Sequence, residues 1–236
     1  MLTVSDLSFS YGAKQALDAV TFAAEPGRFT ALLGPNGAGK STLYALLTRL
    51  FTSPSGRITV AGHDLAREPR AALAAMGVVF QQPTLDLDLT IRQNLSYFAA
   101  LHGLSGRNAA VRIDAALDRL AIRERANERA RALNGGHRRR TELARALIHQ
   151  PKVLLCDEPT VGLDAQSRAA ITDHVHDLAA DGLTVLWATH LTDEVRADDD
   201  LLLLHRGRLQ AEGRASDLTG DTPLKDWFLA RTEVEA

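Results

Sequence analysis

The chain has 236 residues, 45% of them apolar, and a formal charge of −2. That is enough for one large domain with a real core, and the mixed charge argues against a dedicated nucleic-acid binder, which would carry a basic excess. One cysteine, Cys156, excludes an internal disulfide and fits a reducing cytosol; the start, MLTVSDLSF, lacks the regions of a signal peptide, and apolar runs such as VLL and LLLL are too short to span a bilayer, so any membrane role is expected to run through a partner chain.

The elements follow in chain order. LTVSDLSFSY alternates apolar and polar residues, which predicts a half-buried strand, and ALDAVTFAAEPG continues the pattern to a Pro-Gly turn. FTALL is an apolar run suited to a buried strand. It leads into LLGPNGAGKSTL, residues 32–43, and then LYALLTRL, where Leu43, Leu46, Leu47 and Leu50 recur at helical spacing. SPSGRITVAGHDL reads as turn, strand, turn, and MGVVF, residues 76–80, as a short buried parallel strand. From about 90 to 130 the pattern is helical, in TIRQNLSYFAALHG and NAAVRIDAALDRLAI, with Thr90 as N-cap and a break at Gly103 and Gly106. PKVLLCDEP brings back an apolar strand. A helix (AQSRAAITDHVHDLAAD), a strand (LTVLWATH), a short helix and two strands (DLLLLHRG, RLQAEG) follow. Strands alternating with helices mean a parallel α/β sheet. The run DDD at 198–200 reads as a solvated turn before a strand, and HRRRTELARALIHQP as a helix with an apolar side at Leu143, Ala144, Leu147 and Ile148 and a basic solvated face.

Two stretches carry chemistry. The spacing from Gly34 to Gly39, Lys40 and Ser41 fits G-x-x-x-x-G-K-[ST] between a strand and a helix, the context a phosphate cradle demands. Glycines let backbone N–H groups converge, and the following helix adds its N-terminal donors. Lys40 supplies a point charge for the β- and γ-phosphates, and the Ser41 hydroxyl is placed to ligate Mg²⁺. The chain is therefore expected to bind a nucleoside triphosphate. The second stretch, VLLCDEP at 153–159, is an apolar strand ending in two acids, and in open parallel sheets the site lies at the carboxyl ends of the strands. Asp157 is placed to hold the Mg²⁺ shell. Glu158 is placed beside the γ-phosphate, where a general base orients the attacking water. Cys156 reads as a packed core residue.

GPNGAGKST, VVFQQP, LNGGHRRRTELARAL, LLCDEPTVGLD and ATH occur in that order, and together they resemble the ATP-binding cassette (ABC) family of ATPases over nearly the whole chain. The resemblance implies an α/β fold: a P-loop NTPase core with a mainly parallel sheet, an N-terminal antiparallel β-subdomain, and a helical subdomain inserted at about 83–150 of a single nucleotide-binding domain, 1–236. It implies ATP and Mg²⁺ as cofactors. Gly34, Pro35, Asn36, Gly37, Ala38, Gly39, Lys40, Ser41 and Thr42 would hold the nucleotide, with Tyr11 stacked on adenine. Gln81 would touch the metal at the hinge into the helices, with its neighbour Gln82 a weaker candidate. His190 would contact the γ-phosphate. Leu133 to His137 match the signature, so Asn134, Gly135 and Gly136, with Asp164, would act across a dimer. The signature departs from the usual Leu-Ser-Gly-Gly-Gln; Asn134 keeps an amide donor, and both glycines remain.

The implied partners are a second cassette chain, as a homodimer, and a transmembrane permease, with no nucleic acid. The implied location is cytoplasmic, on the inner face of the cell membrane. LDLDLTIRQNL and the short C-terminal tail resemble exporter-type ATPases of the drug and polysaccharide class. LNGGHRRR with VLWATHLTDE resembles subunits associated with pyrroloquinoline-quinone-dependent alcohol oxidation systems. Two competing functions are a soluble ABC ATPase acting on ribosomes or DNA and an ATP-binding regulatory module without turnover. The single cassette and the ordinary length of the insert disfavour the first. Lys40, Asp157, Glu158 and His190 together disfavour the second.

Overall fold

The structure is a computed structural model, and it describes residues 1–232. Two sheets organise it. The first pairs β1 (Leu2–Tyr11) antiparallel with β2 (Lys14–Ala24) on one side and β4 (Arg57–Val60) on the other, with the short β5 (His63–Asp64) at the edge. Between β2 and β4 the chain leaves this sheet through β3 (Phe29–Leu33) and α1 (Lys40–Leu47). The second sheet has the order β10-β9-β3-β8-β7-β6. Its members are β3, β6 (Met76–Val79, after α2, Pro69–Ala74), β7 (Val153–Asp157), β8 (Thr184–Thr189), β9 (Asp200–His205) and β10 (Arg208–Arg214). All pairings there are parallel except β9 with β10. The α/β fold with a mainly parallel sheet and an antiparallel N-terminal sheet is as the sequence predicts.

Strands β3, β7 and β8 are buried at every residue, which is why each reads as a continuous apolar run. Helix α6 (Ala165–Ala180) lies on one face of the sheet and α1 on the other, each with its own apolar cluster. Helices α7 (Ala215–Thr219) and α8 (Leu224–Thr232) close the chain over the α6 side, where Trp227 and Phe228 are buried.

Between β6 and β7 come three helices, α3 (Ile91–Leu101), α4 (Gly106–Arg119) and α5 (Gly135–Leu147). Thr90 caps α3 in a full capping box with Gln93. Leu95, Leu117, Leu133 and Leu143 tie these helices to the core beside Val79.

Two readings of charged stretches need correction. Asp199, inside DDD, is buried at 4% exposure, accepts from the Arg196 backbone N–H, and lies 3.0 Å from His176 Nε2. Asp200 accepts from Arg28 Nε at 2.9 Å. Two of the three acids thus form a tertiary clamp, tied to a histidine and an arginine of distant elements, and Asp198 alone stays exposed. The basic face of α5 is likewise not all solvated: Arg139, Glu142 and Arg145 are buried.

Candidate active site

The opening motif bridges two elements of the fold. Strand β3 delivers Gly34, whose N–H donates to the Thr189 carbonyl at 3.2 Å at the end of β8. The loop closes with Ala38 N–H donating to Pro35 O at 3.1 Å, and α1 starts at Lys40. Gly39 has φ +113°, and a Cβ there would lie 2.8 Å from the Ala16 carbonyl, so no other residue fits without moving β2. The same crowding involves the β9–β10 turn, where Gly207 N–H donates to the Ala38 carbonyl at 2.8 Å.

A cleft of about 510 Å³ opens over this loop. Asn36, Gly37, Ala38, Gly39, Lys40, Ser41 and Thr42 line it, together with Tyr11, Gln81 and Glu158. Tyr11 is half-exposed and sits edge-on to Phe9 and Phe51, with its hydroxyl 3.4 Å from Thr42 Oγ1. Lys14, Gln15, Ala16, Arg206 and Gly207 also line the cleft, and sequence reasoning did not find them. Their only signal was the glycine of the Arg206-Gly207 turn.

Glu158 is the hub. Its carboxylate oxygen Oε1 is 3.1 Å from Lys40 Nζ and 3.3 Å from His190 Nδ1, the latter without the angle for a hydrogen bond. Gln81 Nε2 donates to Oε2 at 3.3 Å. Lys40 Nζ also donates to Gly34 O at 2.6 Å and Pro35 O at 3.1 Å. Glu158 has φ +45°, a left-handed conformation that costs a non-glycine residue about 1–3 kcal/mol. That twist turns Glu158 away from the line of β7, so two adjacent acids take different directions.

Asp157, one residue earlier, is 8% exposed, and its Oδ1 has no hydrogen-bond partner among the described residues. Burial, and next the neighbouring Glu158 charge, push its carboxyl up to about 6. A buried carboxylate oxygen without a donor, one residue before the Glu158 that lines the cleft, is the kind of ligand a hard cation takes. Gln82 is exposed beside Gln81 and lines no part of the cleft. Cys156 is fully buried, and burial pushes its thiol far above the usual range, as a packed core residue requires.

The remaining site residues lie elsewhere. Asn134 caps α5, its Oδ1 accepting from His137 N–H at 2.8 Å, which leaves its amide Nδ2 unbonded among the described residues. Asp164 caps α6 in the same way through Ser167 N–H at 2.9 Å. These two helix starts pack on each other: a Cβ on Gly136 would meet Ser167 Oγ at 2.8 Å, and one on Gly135 would meet Leu163 Cδ2 at 2.9 Å. Asn134, Gly135, Gly136 and Asp164 thus share one surface, and none of them lines the cleft over Lys40.

The buried polar side of α5 bolts this surface to the cleft. Arg139 donates to the carbonyls of Phe80 at 2.7 Å and Gln81 at 2.9 Å, and to Glu142 Oε2 at 2.7 Å. Glu142 Oε1 accepts from Thr84 N–H at 2.7 Å, and Arg145 donates to Thr84 O at 3.0 Å. The one signal in the sequence was an acid three residues after an arginine on a helix that must pack.

A glycine-rich loop between a parallel strand and a helix, with acids at the end of β7 one strand beyond β8 in the same sheet, defines a P-loop nucleotide hydrolase. Comparison with known proteins narrows this. The family described as ABC transporter matches residues 17–161. The daunorubicin resistance ATP-binding protein DrrA3 of Streptomyces coeruleorubidus is 40% identical over 222 residues, which are 94% of this chain and 70% of that protein. The Nod factor export ATP-binding protein I of Rhizobium etli is 38% identical over 215 residues, 91% of this chain and 68% of that one. Among solved structures, an ATP-binding subunit of an ABC transporter superposes with a TM-score of 0.86 at 28% identity, covering 99% of this chain and 100% of its own. The cassette MJ0796, in a dimeric post-hydrolysis state bound to ADP and Pi, superposes with a TM-score of 0.79 at 26% identity, covering 91% and 99%. The chain belongs to the ABC transporter family, and it is an ATP-binding, ATP-hydrolysing subunit of that family.

Proposed function

We propose that this subunit closes head to tail with a second copy of itself on two ATP and Mg²⁺, and that the closure drives a separate membrane permease of an exporter. The observation that carries the reading is the split of the site. Lys40, Ser41 and Glu158 face one cleft, whereas Asn134, Gly135, Gly136 and Asp164 sit on a different surface of the same chain. A two-fold pair lets each surface complete the other's cleft, giving two composite sites from one interface.

In this reading the loop amides and Lys40 bind the phosphates, and Tyr11 stacks on the base. Ser41, Gln81 and Asp157 would hold Mg²⁺; bound there, the ion would neutralise charge on phosphate oxygens. Glu158 orients the attacking water and takes its proton, while His190 steadies the far side of the γ-phosphate. Lys40 first has to leave Glu158, which frees the carboxylate for water. Asn134 uses its free Nδ2 as a donor in place of a serine hydroxyl. The segment at about 83–150 works as a helical lobe inserted in one nucleotide-binding domain.

Drug resistance and Nod factor export in the relatives support an exporter over a ribosomal or DNA role. Tyr97 and Leu101 on α3, 60% and 63% exposed, support a docking surface for a cytoplasmic loop of the permease. Among the described residues no helix is long and apolar enough to cross a membrane. The subunit then works at the cytoplasmic face, held there by its partner. The likeness to subunits of pyrroloquinoline-quinone-dependent systems rests on LNGGHRRR and VLWATHLTDE alone.

The test is a mixed dimer in which one protomer carries Asn134→Ala and the other Lys40→Ala. With head-to-tail sites, both lesions fall in one composite site and the other site stays whole, so about half of the wild-type turnover remains. If each chain completes its own site, each protomer carries one lesion and turnover drops at both sites.

A further inference from the structure

Tyr44 lies one turn of α1 beyond Lys40 and is completely buried beneath the cleft. Its ring packs in the apolar cluster between α1 and the sheet. Its hydroxyl makes three contacts, all with strand backbone: Cys156 O at 2.8 Å, Leu186 O at 2.8 Å, and Ala188 N–H, which donates to it at 3.1 Å. A phenol has one proton and two lone pairs, so it shares its proton between the two carbonyls and accepts from the amide.

The location of these three groups matters more than their number. Cys156 immediately precedes Asp157 and Glu158 on β7, and Ala188 stands two residues before His190 on β8. The Ala188 carbonyl also accepts from Glu158 N–H at 3.0 Å. One hydroxyl therefore grips the last three rungs of the β7–β8 ladder, just before β7 hands over to Glu158 and β8 to His190. It does so from the helix whose first residue is Lys40. Burial pushes this phenol well above its ordinary value, so it stays protonated throughout the range in which the subunit works.

We propose that Tyr44 is a positioning residue for hydrolysis: its hydroxyl sets the height of the strand ends that carry Glu158 and His190 against the helix that holds the phosphates. The proposal rests on the role assigned to Glu158 above. Reacting groups must meet within a few tenths of an ångström, and misplacement by about 1 Å costs up to a hundred-fold. The hydroxyl acts only on the strand ends, so nucleotide binding by the loop is untouched.

Tyr44→Phe removes one oxygen and keeps the packing. Single-turnover hydrolysis of ATP by the full chain, with thermal unfolding as a check on folding, is compared for wild type, Tyr44→Phe, Glu158→Gln and the double variant. The expected result is a roughly ten-fold slower step in Tyr44→Phe, with affinity for a non-hydrolysable ATP analogue within about twofold of wild type. In the Glu158→Gln background the same change is expected to slow the reaction much less, because only His190 is then left for it to position. A Tyr44→Phe rate within about twofold of wild type overturns the proposal. So does an equal loss in the Glu158→Gln background, or a loss of analogue affinity that matches the loss of rate. If Glu158→Gln itself hydrolyses at the wild-type rate, the role given to Glu158 fails and this inference with it; if only Tyr44→Phe is silent, the role of Glu158 stands.

Discussion

The contact between Lys40 and Glu158 makes an unusual demand on nucleotide binding. The phosphates need the same ammonium that Glu158 holds at 3.1 Å, so binding exchanges one anion for another. A hydrogen bond between charged groups is worth about 1.5–3 kcal/mol. With the two side chains 4% and 10% exposed, little solvent screens it. Glu158→Gln removes the competing charge and almost no volume, and Lys40 keeps its bonds to the Gly34 and Pro35 carbonyls. Affinity should then rise by roughly ten- to over a hundred-fold, at 1.4 kcal/mol per factor of ten. Turnover moves the other way, because losing a positioned general base costs about 10²–10⁴-fold. The variant accumulates as a closed, ATP-bound pair. The assay is calorimetric titration with a non-hydrolysable analogue, beside phosphate release with Mg²⁺ and light scattering for dimerisation. Affinity that is unchanged or weaker refutes the competition between Glu158 and phosphate. A near wild-type rate makes another group the base, with His190 the next candidate.

Three further expectations follow from the same geometry. Tyr11→Ala should weaken ATP binding by roughly five- to over a hundred-fold, since base stacking is worth about 1–3 kcal/mol, whereas Tyr11→Phe should be mild; equal affinities in wild type and Tyr11→Ala would remove the ring from the site. Asp157, held up at about 6 against 3.8, keeps a proton in the folded state that the unfolded chain has lost, so stability falls as pH rises from about 4 to about 6 and stays lower above that. The full difference amounts to about 3 kcal/mol, so in metal-free buffer Asp157→Asn should raise the thermal midpoint at pH 8, lose that advantage below about pH 4, and weaken Mg²⁺-dependent ATP binding; an unchanged midpoint at pH 8 would count against it. Arg139→Ala strands Glu142 in a buried position and should cost about 3–5 kcal/mol in urea unfolding; a loss under about 1 kcal/mol would mean that other contacts hold the segment at 80–84.

The sequence disclosed those parts of the site whose residues must be neighbours along the chain. A phosphate loop needs its glycines, lysine and hydroxyl within eight positions, so Gly34 to Ser41 could be read directly. The acids at the end of β7 were legible for a related reason: carboxylates are costly in an apolar strand unless something uses them. Contacts that depend on the fold left no such mark. Asp199 and Asp200 looked solvated because their partners, His176 and Arg28, are 23 and 172 residues away. Ala16 and Gly207 gave no hint that they would crowd Gly39, since what decides it is two backbones passing within contact distance. Nor could a string of arginines reveal which one turns inward. Arg138 and Arg139 are adjacent, yet Arg138 donates to the carbonyls of Ala130 and Arg131 at the surface, and Arg139 is buried against Phe80 and Gln81.

That inward turn bears on how the two halves of the proposed site communicate. Helix α5 begins at Asn134, the cap that the proposed pairing turns toward a second cassette, and five residues later Arg139 grips the carbonyls of Phe80 and Gln81. A helix is stiff over so short a distance, so Asn134 and the backbone of Gln81 move together. The side chain of Gln81 donates to Glu158, which also faces Lys40. When phosphate takes Lys40 from Glu158, the carboxylate is left with Gln81 and His190 as its neighbours. Any shift in Gln81 is then carried through Arg139 to the cap of α5. Glu142 and Arg145, on the buried side of the same helix, hold Thr84 just before the α3 surface that carries Tyr97 and Leu101. In the proposed assembly one short stretch, 80–84, thus touches the reacting group and is clamped to the helix that meets the other cassette. It also leads into the surface offered to the permease. In that assembly the buried charges of α5, Arg139, Glu142 and Arg145, offset their desolvation cost by keeping those three positions in register.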